Sequence, residues 1–162
     1  MLAHGATTLW ELWQEKTDPR MNSHNHHAFA SAGTFLYRTL AGIQAAEPGY
    51  AKIRIAPSLV HDLNWVSAST ETPYGYVATA WKRSDTGYTL EVAVPVGTTA
   101  TIELPKLTLD NLQVTESGQR IEIGAGARPA GILAAHDAGQ NIELEVGSGA
   151  YRFEVGQGEA PQ

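Results

Sequence analysis

Glu11 stands between Trp10 and Trp13, and a dozen residues later the chain becomes a polar turn, Ser23-His24-Asn25-His26-His27. Those residue types suit chemistry on a sugar. Indole faces stack on the C–H faces of a pyranose, imidazole and amide groups fix hydroxyls, and a carboxylate takes or gives a proton. The same spacing has a plain structural explanation. Trp10 and Trp13 lie three apart, so on a helix they share a face and pack in a core, with Glu11 a solvated neighbour. His24-x-His26-His27 also offers imidazoles to a metal, but that spacing around a turn, with no cysteine in the chain, is not a zinc signature. His4, His61 and His136 are isolated, which favours surface or hydrogen-bonded roles.

Residues 1 to about 43 must position these groups, and their pattern predicts helix. Thr7 or Thr8 caps a short one, with Glu11 near its electropositive start, and Asp18-Pro19 breaks it. Ser23 or Asn25 caps a second, whose apolar residues Phe29, Ala32, Gly33, Leu36, Leu40 and Ile43 make a single-faced stripe. Pro48-Gly49 ends the region. From Tyr50 onward the period falls to two: Ile53 and Ile55, Leu63 and Trp65, Val77, Thr79 and Trp81, then Tyr88, Leu90, Val92 and Val94. Ala100, Ile102 and Leu104 follow, then Ile121 and Ile123, Ile142, Leu144 and Val146, and Tyr151, Phe153 and Val155. Turn residues separate these runs and a loop spans 124–130, so eight or more short strands form an antiparallel β-sandwich. The expected domains are a helical segment over 1–47, a sandwich over 48–156 and a disordered tail over 157–162.

Composition narrows the partners. Seventeen acidic against eleven basic residues give a net charge of −6, which argues against nucleic acid and anionic membrane surfaces. There is no cysteine, hence no disulfide framework and no thiol nucleophile. The first residues lack the basic start and apolar run of a secretory signal, and no stretch reads as a membrane span; the compartment is left open between cytoplasm and export.

Three segments in order resemble the C-terminal part of bacterial α-L-rhamnosidases: Gly5-Ala-Thr-Thr-Leu-Trp-Glu-Leu-Trp13, Met21-Asn-Ser-His-Asn-His-His-Ala-Phe29, and Leu36-Tyr-Arg-Thr-Leu-Ala-Gly-Ile43. The similarity continues through Pro48-Gly-Tyr50, Ile53-x-Ile-x-Pro57 and Ser69-x-x-x-Pro-Tyr-Gly75 to Thr98-Thr-Ala-Thr-Ile-Glu-Leu-Pro105. That family implies an inverting glycosidase with a six-hairpin α/α barrel followed by a β-sandwich, acting on terminal α-L-rhamnosides without a cofactor. It places Glu11 on the general base, His26 on a histidine that contacts rhamnose, Asn25 beside it, and Trp10 and Trp13 on the pocket wall. The segment from Gln14 to Arg20 is shorter than the family's usual loop. His27 stands where an aromatic is frequent, and Leu12 where Arg is common.

Inversion needs two carboxyl groups about 6.5–9.5 Å apart on opposite sides of the sugar. Glu15, four residues after Glu11, would on a helix lie on the same side, its Cβ about 5–6 Å away. The resemblance puts the general acid in an earlier barrel segment, so the chain is expected to be a C-terminal fragment that needs the missing part of the barrel as partner and is inactive alone. The helix stripe would otherwise lie on the sandwich or serve a homo-oligomer. The alternative is an accessory sandwich, either structural or carbohydrate-binding, with Trp65, Tyr74, Tyr76 or Trp81 as a stacking platform. The period-two context favours core positions for Trp65 and Trp81, and exposure for Tyr74.

Overall fold

A computed structural model describes residues 1–158 apart from 19, 21, 22 and 110, and it describes the side chains of these residues except at 28–30. The chain divides into two compact units, Met1–Leu36 and Tyr37–Gln162.

In the first unit a 3₁₀ turn, Leu2–His4, is closed by Gly5 in the left-handed region. The predicted helix over Thr7–Glu15 does not form; the backbone there runs through bends. One of the two hydroxyls expected to cap it, Thr8 Oγ1, instead donates to the carbonyl of His24, so local helix propensity yields to pairing with a distant segment. Helix α1 spans His27–Phe35, starting two residues later than the later of the two expected caps. Leu36–Leu40 follows as a π-helical turn. Pro19 and the side chain of Phe29 lie outside the described residues.

Among its described residues the second unit holds eleven strands: β1 Ile43–Ala45, β2 Lys52–Ile55, β3 Trp65–Thr72, β4 Gly75–Ser84, β5 Gly87–Val94, β6 Thr99–Pro105, β7 Leu112–Glu116, β8 Gln119–Arg120, β9 Ile132–Asp137, β10 Asn141–Val146 and β11 Gly149–Gln157. They form a five-stranded sheet, order β1-β2-β6-β10-β9, and a six-stranded sheet, order β3-β4-β5-β11-β7-β8. Every pair is antiparallel except β2 with β6. Alternation dictates the layers. Ile53 and Ile55, Ile102 and Leu104, and Ile142 and Leu144 point inward from one sheet; Val77 and Trp81, Leu90 and Val92, and Phe153 and Val155 point inward from the other. Full burial of each such side chain contributes about 1.5–3 kcal/mol against exposure, which fixes the register.

The helical stripe over 29–43 breaks at its end, because Ile43 belongs to β1 and to the sandwich core. Gly42 explains the break. It has φ +80, and a Cβ there would sit 2.3 Å from the backbone nitrogen of Pro57, so the chain must turn and approach closely at a glycine. Residues 37–47, grouped with the helical segment by the sequence, therefore lie in the second unit. Two buried polar groups tie this entry down: Thr79 Oγ1 donates to Ala41 O at 2.9 Å and Trp81 Nε1 to Leu40 O at 2.8 Å. Trp81 is in the core as expected, but Trp65 is 66% exposed. It opens the edge strand β3 opposite Lys82, on the outward face of the sheet, so a strand period alone could not assign its side.

Candidate active site

Backbone pairing, not a helix, positions Glu11. Its N–H donates to Ser23 O at 2.8 Å, and Ser23 N–H returns a bond to Glu11 Oε2 at 3.0 Å. A third bond, His26 N–H to Leu9 O at 2.8 Å, completes the tie between residues 9–11 and 23–26. One carboxylate oxygen is thus held by a backbone donor in a half-exposed setting, while the ligand-free lone pairs of a carboxylate are enough to engage a water.

Trp10 is the one large apolar side chain buried in this unit among the described residues, at 5% exposure. Its ring stacks on that of His24, with centroids 4.2 Å apart and planes within 11°. His4 tilts toward the same indole at 6.3 Å. Trp13 has a different environment: it is 75% exposed and lines an apolar recess of about 390 Å³ with Leu2, Ala6 and Leu9. His26 is half-exposed and stacks on His27, centroids 5.1 Å apart. The backbone N–H of Asn25 donates to Ser23 Oγ at 3.2 Å.

The other carboxylates of the segment are engaged. His4 Nδ1 lies 2.7 Å from Glu15 Oε2. Arg20 grips both oxygens of Asp18, at 3.1 and 2.9 Å, and adds its backbone N–H; the side-chain bonds foremost hold the Asp18 carboxyl below the usual carboxylate range. Because residues 11–15 are not helical, the spacing expected for a Glu11–Glu15 pair does not apply. Among the described residues no three His, Cys, Asp or Glu side chains gather as a metal-binding group. Sequence reasoning missed the roles of Ser23 and Thr8, which act on backbone groups across the tie. It also missed His24 as the partner of Trp10, although the histidine-rich turn had drawn attention to that residue.

Known proteins share this arrangement of segments. Residues 1–40 match the bacterial α-L-rhamnosidase six-hairpin glycosidase domain, and residues 42–119 match the bacterial α-L-rhamnosidase C-terminal domain. The chain belongs to the bacterial α-L-rhamnosidases. An α-L-rhamnosidase from Formosa agariphila is 41% identical over 116 residues, 68% of this chain and 12% of that protein. One from Streptomyces avermitilis is 32% identical over 157 residues, 93% of this chain and 14% of that protein. The rhamnosidase structure from Dictyoglumus thermophilum superposes with a TM-score of 0.79 at 34% identity, over 97% of this chain and 17% of that one. The Streptomyces avermitilis enzyme complexed with L-rhamnose superposes with a TM-score of 0.70 at 31% identity, over 95% of this chain and 14% of that one. This rhamnosidase chain thus spans 12–17% of the length of those relatives. Its strands β9–β11 lie beyond the matched domain models yet complete both sheets.

Proposed function

We propose that these residues are the end of an α-L-rhamnosidase that hydrolyses terminal α-L-rhamnosides with inversion, and that Glu11 is its general base. Residues 1–36 would belong to the catalytic barrel and the sandwich would follow as its accessory domain. The observation that carries this reading is the backbone tie that presents the Glu11 carboxylate, one oxygen bound to Ser23 N–H at 3.0 Å. Glu11 deprotonates a water that attacks the anomeric carbon from the side opposite the leaving group. His26 and Asn25 hold sugar hydroxyls, and Trp10, fixed by His24, shapes the pocket wall with Trp13. The general acid comes from a part of a longer enzyme outside these 162 residues, since Glu15 and Asp18 are engaged by His4 and Arg20.

The test uses an aryl α-L-rhamnoside. The 162-residue chain alone is expected to give no turnover. A longer enzyme containing it should lose roughly 10²–10⁴-fold in kcat on Glu11→Gln with KM little changed. The initial product should be the β-anomer by NMR. Full activity of Glu11→Gln, or retention of the anomeric configuration, rules the assignment out.

A further inference from the structure

The outward face of the six-stranded sheet carries a polar cleft of about 570 Å³ that shares no residue with the site proposed around Glu11. It lies wholly in the second unit. Strand register explains it. One row runs unbroken across all six strands, Trp65–Lys82–Thr89–Glu154–Thr115–Arg120, each residue paired with the next. The adjacent row on the same face is Ser84–Gly87–Gly156–Gln113. Its two central members have no side chains, so the floor is bare and the polar groups of Ser84, Thr89, Gln113, Thr115, Arg120 and Glu154 surround a hollow. Gly87 cannot be replaced cheaply, because a Cβ would lie 1.9 Å from the carbonyl oxygen of Val155.

The chemistry of the lining selects a ligand class. Its two charged side chains each have an ion-pair partner, Glu154 with Arg152 at 3.3 Å and Arg120 with Glu122 at 3.2 Å; Arg152 is shared with Glu91 and Lys82 stands between Trp65 and Thr89, so both signs mix on this face and no cluster of cations gathers for a phosphate or a carboxylate. Hydroxyl and amide groups dominate what remains. Gln113, partly exposed at the end of the row whose centre is bare, offers an amide donor and acceptor to that space. At the end of the same row Trp65 stands exposed, two strand spacings from Thr89, or about 10 Å. An exposed indole beside a neutral, hydroxyl-rich hollow fits the alternating C–H and O–H faces of a pyranose.

We propose that this cleft binds a neutral oligosaccharide of two or three residues, with one ring stacked on Trp65 and another hydrogen-bonded to Gln113. The site is separate in residues from the one around Glu11 and holds its ligand without cleaving it. The probe is a neutral rhamnose-terminated trisaccharide titrated into the ¹⁵N-labelled 162-residue chain. Saturable amide shifts are expected at Ser84–Thr89, Gln113–Thr115 and Glu154–Gln157, with a Kd on the order of 1 mM. Gln113→Ala should weaken binding about five-fold, and Trp65→Ala about ten-fold, while the remaining spectrum stays that of the folded sandwich. Glu11→Gln should leave these shifts unchanged, so failure here is distinguishable from failure of the catalytic assignment. Absence of shifts at about 20 mM sugar, shifts confined to residues 1–36, or undiminished binding by either variant overturns the proposal.

Discussion

The two units differ in what holds them together. Among its described residues the sandwich buries twenty-three apolar side chains in one cluster between two sheets. The first unit, among its described residues, buries only Trp10, and its tie between residues 8–11 and 23–26 is made of polar bonds and a ring stack rather than a core. The groups proposed to act on substrate sit in the thinly supported unit. The well-packed unit supplies stability, consistent with the tendency of functional segments to occupy the low-stability end of a structure.

Amide hydrogen exchange would break or sharpen this contrast most directly. Amides of Leu90, Ile102 and Phe153 should exchange on the order of a thousand-fold or more slowly than those of Glu11 and His26 in the chain alone, relative to their intrinsic rates. Equal protection would mean that the first unit has support beyond its own backbone ties. Next in size, Leu144→Ala should destabilise the sandwich by about 2–5 kcal/mol in urea unfolding, since Leu144 is fully buried. Trp13→Ala, at an exposed position, should stay within about 0.5 kcal/mol. Trp81→Phe removes the Nε1 donor to Leu40 O and some core volume; a loss of about 1–3 kcal/mol in the same assay is expected.

The smallest effect concerns acid. Lys106 Nζ lies 2.6 Å from Asp137 Oδ1, and this bond foremost, with Gly139 N–H, holds the Asp137 carboxyl below its ordinary value of 3.8. A depressed carboxyl pKa favours the folded state above the unfolded pKa, and the benefit fades as pH falls through the folded one. Lys106→Met should therefore lower Tm slightly at neutral pH, with the difference from the parent narrowing below about pH 4. A difference that widens in acid would contradict the pairing.

Much of the sandwich was legible because its inward and outward faces differ in polarity. Tyr88 through Val94, Ala100 through Leu104 and Ile142 through Val146 alternate, and each is a strand. Strand β9 was not, because its burial does not alternate: Ile132 and Ala135 are buried three apart, opposite an irregularity in register at Glu145/Val146. Ile121 and Ile123 alternate but form no ladder; Ile121 is buried just past β8, and Ile123 is in a loop. β1 was hidden because three residues after a helical pattern carry no period of their own. Around Glu11 the residue types announced sugar chemistry, whereas the local conformation was misjudged. Helix spacing looked sufficient there, but the partner segment a dozen residues away decided the backbone.

The tie between Leu9–Glu11 and Ser23–His26 carries a consequence for how such an enzyme can diversify. Glu11 and Ser23 are fixed ends for the excursion of chain that joins them, and lengthening such a connection adds only about 0.6 kcal/mol per doubling. Residues can be added or removed along that excursion without shifting the carboxylate at its base. The proposed base thus keeps its place beside a stretch of chain that tolerates change in length.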